Sequence, residues 1–597
     1  MLEKIFAKKY KYFYFDSEKN QLFDKDLTEK EISKISESEF IENKEYFIKL
    51  ISICLNLLEK KYNKIENTEI INIIKINFNN LLQSFKVLDN YNKEYFLLLN
   101  NLRNNYKLFL NILTNQSWQS PDYGYSLAPQ HGIEQEKIYA FYNDYQRYRA
   151  NTNAIEKYFN NKQSDIGIKK TTYIFNSGMG SLSTLISSFN NFNNSKKIIS
   201  KNIYFECLAF LKYFPNISFF EENQIEEILT FIEKEDPEYL FFDPVVNSYS
   251  MNIFDFEKIF DYYKKNPPKK TTSIIIDTSL CLEFFKLDNF FKNDFPENLN
   301  IYLYRSLQKN DQLGLDIKQG GIITHYGNNE NMLDAYRQLG TTPEEESIIN
   351  YEIMSNFNSE ERLLRQSRNM FVLAHRLTKS NSEIIGNINH TSLKINKKHF
   401  KSYYQTPLLF FSLNDLFNLE DYNFFIQELI KECNKKSFQI SLGSSFGFNF
   451  IRIMLVNFDN KLFFRLASGM ETIKEIYLFA EILNNLIENF LISLKTAYEN
   501  KKLLLFNSKH QKLLELLNEL EKVNTASEKE LFKIFYIFKE LKKDLIKFQN
   551  FKKTKDFYKK EMDFYLNIIL KTLSNDKVSI NRALILEAIK ELNEIVN

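Results

Sequence analysis

Residues 271–309 read TTSIIIDTSLCLEFFKLDNFFKNDFPENLNIYLYRSLQK. Two short β-branched and aromatic runs stand in this stretch, TTSIIIDTS and NIYLYRS, and each breaks off in polar residues. Asp277 directly follows the first apolar run; Ser306 and Lys309 close the second. Taken singly, the Asp reads as a helix cap and the Lys as a surface residue. Runs of the same kind precede them: TTYIFNSG at 171–178, KNIYFE at 201–206 and EYLFFDP at 238–244, with helical periodicity between. Strands alternating with helices predict a parallel α/β sheet, in which ligands bind at the carboxyl ends of the strands. The chemically interesting side chains stand at those ends.

Glycine and proline set the outer limits of this region. All 14 Gly lie between Gly124 and Gly469, and all 10 Pro between Pro121 and Pro407. Both residues punctuate turns and break helices, so flanks without them should be helical. Thr28-x-x-Glu31 and Ser527-x-x-Glu530 are capping-box patterns ahead of apolar-periodic runs. The expected organisation is a helical N-terminal extension over 1–120, an α/β domain over 121–385, a small α+β subdomain over 386–499 and a helical C-terminal extension over 500–597.

Composition excludes several classes. With 44% hydrophobic and 26% charged residues the chain is not disordered as a whole. The 78 Lys+Arg nearly balance the 76 Asp+Glu, so no chain-wide charge favours nucleic acid or an anionic membrane. The Lys-rich stretch 501–560 has no Arg and reads as a solvated helix face. Cys54, Cys207, Cys281 and Cys433 form no metal-ligand pair, and the six histidines show no ligand spacing, so no metal is expected. No signal-peptide core and no apolar run of ~18 residues is present, which points to a cytoplasmic protein.

Two more strand ends complete the set. Asn176-Ser177-Gly178-Met179-Gly180-Ser181 runs from a strand into a helix, where free N–H groups suit a phosphate. Asp243-Pro244-Val245-Val246-Asn247 follows EYLFF. A phosphate turn, an Asn, a strand-end Asp and then Ser-x-x-Lys, in that order, resemble the pyridoxal-phosphate (PLP) enzymes of fold type I. More narrowly the chain resembles the cystathionine γ-synthase / cystathionine β-lyase / methionine γ-lyase family. Tyr145-Gln146-Arg147 with Asn151-Thr152 resembles that family's YSRxxNPT segment, Ser177-Gly178-Met179 its SGM turn, and Asp243 to Asn247 its E-x-P-x-N segment. Asp277-Thr278-Ser279 resembles D-N-T; Ser306-x-x-Lys309 with Asp316 and Gly320-Gly321 resembles SxTK…D…GG. Ser441-Leu442-Gly443 and Arg465 to Glu471 resemble the SLG loop and RLSxGxE. The likeness covers roughly residues 121 to 495.

The resemblance implies a mostly parallel sheet with helices on both faces, an α+β C-terminal subdomain and helical flanks. It implies that Lys309 holds PLP through its ε-amine and then moves the α-proton of the substrate. Asp277, with Ser279 beside it, would pair with the ring nitrogen. Ser177, Gly178, Met179 and Ser306 would hold the phosphate, and Asn247 the phenolic oxygen. Arg465 would clamp the substrate α-carboxylate beside the Ser441 loop. Tyr145 and Arg147, with Tyr148 and Arg149 as alternatives, would reach a neighbouring subunit's phosphate and so imply a homodimer or homotetramer.

Two departures stand out. Gln308 replaces the family's Thr, and no Tyr-Gly-Gly supplies the ring-stacking Tyr. The alignment places Cys207 there, with Phe205, Leu208 and Phe210 as alternatives. The expected function is β/γ-elimination or γ-replacement on an amino acid of the cystathionine or activated-homoserine type. The alternatives are transamination or another amino-acid conversion, and a catalytically weak scaffold that binds partners through its helical flanks.

Overall fold

A computed structural model describes residues 13–16, 21–24, 27–62, 68–91, 93–114, 152–327, 333–380, 384–393, 406–415, 417–458, 460–494 and 496. The chain divides into two compact units, Met1–Phe490 and Leu491–Asn597, and among the described residues all strands lie in the first. Tyr145, Arg147 and their alternatives, and the capping pattern at Ser527, lie outside the described residues.

The N-terminal segment is helical over Glu29–Tyr62, Thr68–Val87 and Lys93–Thr114. The capping box forms at its start: Thr28 N donates to Glu31 Oε2 at 2.9 Å and Glu31 N to Thr28 Oγ1 at 3.3 Å. Such a cap is worth about 1 kcal/mol. The extension is not helical throughout, however. Strands β1 (Phe13–Asp16) and β2 (Gln21–Asp24) pair antiparallel ahead of the helices. The aromatic runs FYFD and QLF suit a pleated ribbon.

The central sheet has seven strands: β3 (Lys170–Phe175), β4 (Lys197–Ser200), β5 (Ile217–Phe220), β6 (Tyr239–Phe242), β7 (Thr272–Asp277), β8 (Leu299–Ser306) and β9 (Gly321–Tyr326). Their order is β3-β9-β8-β7-β6-β4-β5, and all pairings are parallel except those of β9. Side chains alternate across the sheet. Ile274, Ile276, Ile301 and Leu303 pack under the helices Ile225–Glu235 and Phe256–Lys265. Ile275, Tyr302 and Tyr304 pack on the other face, under Gly178–Ser187 and Phe205–Leu211. The mostly parallel sheet covered on both faces is therefore present.

Four of the five sequence runs are strands. KNIYFE is not. The strand in that region is KIIS, β4, and residues 201–203 turn into the helix Phe205–Leu211. Ile, Tyr and Phe carry strand propensity anywhere they fit an apolar surface, and here that surface is a loop and a helix.

A second, mixed sheet follows, formed by β10 (Ile385–Asn389), β11 (Leu408–Leu413), β12 (Ser441–Leu442), β13 (Arg452–Phe458) and β14 (Lys461–Ala467), in the order β10-β11-β14-β13-β12. This second sheet is the mixed sheet that follows the mostly parallel one.

The N-terminal helices share a core with the rest of the unit. Phe47, Leu50, Phe78 and Phe109 are buried in one cluster with Leu313, Leu315, Ile317 and Phe357. Polar ties flank that core: Arg365 donates to Asn43 Oδ1 at 2.8 Å and pairs with Glu42, and Arg368 pairs with Glu39 at 2.9 Å. Among the described residues no helix is long and apolar enough to cross a membrane.

Candidate active site

The carboxyl ends of β6, β7 and β8 open into a cleft of about 670 Å³. Its lining includes Ser177, Gly178, Met179, Asn247, Asp277, Ser279, Ser306, Lys309 and Arg465. These residues are spread over almost 300 positions of sequence; the central sheet gathers most of them at or beyond its strand ends, and Arg465 comes from within β14 of the second sheet.

The helix Gly178–Ser187 points its N-terminus at the cleft. Ser177 caps it, its side chain accepting from Gly180 N at 2.9 Å. The first two N–H groups, of Gly178 and Met179, have no intrahelical partner and suit an anion. Gly178 lets the turn approach β8 closely: a Cβ there would lie 3.1 Å from Ser306 Cβ, a tight contact. Ser306 N in turn donates to Ser279 Oγ at 3.0 Å, so β7 and β8 are stitched together at the cleft floor.

Asp277 accepts from Ser279 N at 2.8 Å. Enclosure by protein raises its carboxyl pKa, against hydrogen bonds from Ser279 and Tyr304 and the charge of Lys309. Asp243, close by and buried, accepts from Tyr204 N at 3.2 Å; burial first, then the charge of Asp277, holds it well above the ordinary range. A cation beside Asp277 would offset that desolvation, as a protonated ring nitrogen does.

Lys309 Nζ donates to Ser445 Oγ at 2.9 Å and lies 5.7 Å from the centre of the Phe446 ring. It has no carboxylate partner among the described residues. Burial lowers its pKa, and the nearby charge of Arg465 lowers it further. An amine so placed is a better base and nucleophile at neutral pH than a surface lysine.

Arg465 is 8% exposed. It too lacks a carboxylate partner among the described residues; its Nη2 donates to Asn247 Oδ1 at 3.4 Å. Burial pulls its pKa down to about 10. A desolvated guanidinium that opens onto a cleft and pairs with no carboxylate among the described residues suits an incoming anion, and its fork fits a carboxylate.

Other sequence candidates fall differently. Ser441 lies in β12, its N–H donating to Ile451 O at 3.1 Å, and does not line the cleft; Ser444, Ser445 and Phe446 of the same loop do. Cys207 is buried on its helix, where Tyr304 OH donates to its Sγ at 3.4 Å and Met179 Sδ lies 3.7 Å away. Burial and the charge of Asp277 push the thiol well up, so it is no thiolate nucleophile. Phe205 and Leu208 line the cleft and Phe210 does not. The aromatic side chain this segment places at the mouth beside Arg465 is Tyr204, because β4 ends at Ser200 and only a short turn intervenes. Gln308 lines the cleft with its amide committed to Asp316 Oδ1 at 2.6 Å.

Sequence reasoning missed Tyr304, Ser445 and Tyr204. Tyr304 had a signal: it stands two residues before Ser306 on one strand, and so shares its face.

In overall structure the chain is similar to cystathionine gamma-lyase from yeast, at 14% identity and a TM-score of 0.45, over 58% of this chain and 87% of that one. It is also similar to cystathionine gamma synthase from Xanthomonas oryzae pv. oryzae, solved in complex with cystathionine, at 14% identity and a TM-score of 0.46, over 58% and 89%. A third similar structure is a methionine gamma lyase from Micromonospora echinospora in its apo form, at 14% identity and a TM-score of 0.44, over 58% and 88%. No family model matches the sequence, and no curated protein does.

Proposed function

We propose that this chain is a PLP-dependent enzyme that eliminates or replaces a group at the β or γ carbon of an amino acid, of the cystathionine or activated-homoserine type. One observation carries the reading. A desolvated amine, a strand-end carboxyl, helix N–H groups with no intrahelical partner and a buried guanidinium all face one cleft. The donor set fits the cofactor. Gly178, Met179 and Ser306 would hold its phosphate, Asp277 its ring nitrogen, Asn247 its phenolic oxygen and Lys309 its carbonyl carbon.

When bound, the cofactor supplies an electron sink for the pair released at the substrate α carbon. The chain's own residues do the rest. Arg465 binds the α-carboxylate and so fixes which bond at the α carbon faces Lys309. Lys309 Nζ takes the α-proton, and its lowered pKa keeps a larger fraction of it neutral to do so. The leaving group would depart with its electron pair; one water would then hydrolyse the unsaturated amine to a keto acid and ammonia, or a thiol would add across the new double bond in the leaving group's place. A cleft of about 670 Å³ has room for a cofactor and an amino acid together. We read the assembly as a homo-oligomer.

The test is the visible spectrum of the full chain supplied with PLP, beside Lys309→Ala. A band that borohydride bleaches in the wild type and that the variant lacks supports the reading. No band at excess PLP overturns it. Ammonia released in step with keto acid across an amino-acid panel marks elimination; keto acid formed without ammonia, its amino group passed to an added keto acid, marks transamination instead.

A further inference from the structure

The helices ahead of residue 115 take no part in the chemistry above, yet they grip both stretches of backbone that surround Lys309. The first grip is on the chain just after it. Arg103, on the helix Lys93–Thr114, donates from Nε to Leu315 O at 2.7 Å and from Nη2 to Asp316 O at 3.1 Å. Its Nη2 also lies 3.9 Å from Asp316 Oδ2. Asp316 then accepts from Gln308, the neighbour of Lys309, at 2.6 Å.

This turn needs outside support. Leu313, Gly314 and Asp316 have φ of +52°, +71° and +52°. A branched Leu in the left-handed region persists only where its surroundings over-determine it. Here Leu313 and Leu315 are buried in the core of the N-terminal helices.

The second grip is on the loop that faces Lys309. Tyr91 OH donates to Asn449 O at 2.5 Å, and Asn449 Nδ2 donates to Leu313 O at 2.8 Å. Phe450 packs edge-on against Phe96 at 5.4 Å. The same loop carries Ser445, the acceptor for Lys309 Nζ. It also carries Gly447, where a Cβ would lie 2.1 Å from the Lys309 carbonyl oxygen.

We propose that the N-terminal helices are a positioning element of the active centre: Arg103, through Asp316 and Gln308, and Tyr91, through Asn449, fix the place of the Lys309 amine and keep water from it. The inference rests on the reading of Lys309 as the reactive amine, but its test does not depend on turnover or on PLP.

The experiment follows acylation of Lys309 by acetic anhydride against pH in the full chain, without added PLP, by mass spectrometry of the Lys309 peptide. Loosening either grip hydrates the amine, so the labelling midpoint rises. Arg103→Ala is expected to raise it by about one pH unit and Tyr91→Phe by about half a unit. Asn104→Ala, an exposed neighbour on the same helix, leaves it in place. In a Gln308→Ala background Arg103→Ala adds less than it does alone.

Midpoints unchanged in both folded variants overturn the proposal. Should Arg103→Ala fail to fold, Tyr91→Phe, which removes one hydroxyl, decides alone. Failure of the PLP reading shows separately, as the absence of a bleachable band.

Discussion

Lys309 Nζ is held by Ser445 Oγ, a neutral acceptor 136 residues further along the chain, at 2.9 Å. A neutral partner orients the amine without fixing it as an ammonium. Replacing that partner with a charge should therefore move the titration. Ser445→Asp is expected to shift the acidic limb of the pH–rate profile upward by about one unit, because a carboxylate favours the protonated amine. Ser445→Ala leaves the limb near its wild-type place and lowers kcat about tenfold through lost orientation. Profiles of kcat against pH check both.

Arg465 should matter for binding in proportion to its fork. Losing two charge-assisted hydrogen bonds, each worth roughly 1.5–3 kcal/mol, is expected to raise KM for the amino acid by about 100-fold or more in Arg465→Ala. Lysine keeps the charge and loses the planar pair, so Arg465→Lys should fall between. Borohydride-bleachable PLP binding should survive in both, since Arg465 serves the substrate.

Gly321 opens β9 hard against the turn that starts the helix Gly178–Ser187. A Cβ there would fall 2.2 Å from Ser177 O and 2.8 Å from Gly178 N, both backbone atoms. Gly321→Ala must push the strand and the turn apart. The expected cost is about 1–3 kcal/mol in denaturant unfolding, with PLP affinity falling about tenfold as the N–H groups move.

Glu471 sits where the segment after β14 meets the N-terminal helices. Its carboxylate accepts from Gly469 N at 2.9 Å, but burial raises its pKa to about 8, and Glu475 is raised to about 7. Between the unfolded value of 4.5 and these values the native state holds protons that the unfolded chain has lost. Their contribution is therefore full below about pH 4.5 and is lost as pH climbs through 7 and 8. Stability measured by urea at a series of pH values should fall across that window. Glu471→Gln should remove about half of the slope between pH 4.5 and 7 and nearly all of it above 7.

What the sequence made legible was local. Asp277, Ser306 and Lys309 could be placed because a strand end is marked by a few consecutive residues, and Gly178 because it begins a helix. The β4 region was misread because Ile203-Tyr204-Phe205 would suit a strand as well as the loop and helix they form. Ser445 and Arg103 could not be found at all. Their partners lie 136 and 212 residues away, and nothing in either neighbourhood announces the contact. The pairing of β1 with β2 is not legible in the sequence, because an absence of Gly and Pro fits a helix and a strand pair alike.

The shared core of the N-terminal helices has a consequence for synthesis. Phe47 and Phe78 leave the ribosome first, and Phe109 follows about 200 residues before Leu313, Leu315 and Ile317, which complete their cluster. At about 5–20 residues per second the wait is roughly 10–40 s. During that time the nascent bundle must carry an uncovered aromatic face through the cell, so chaperones that capture such faces should bear on how much of this protein survives its own translation.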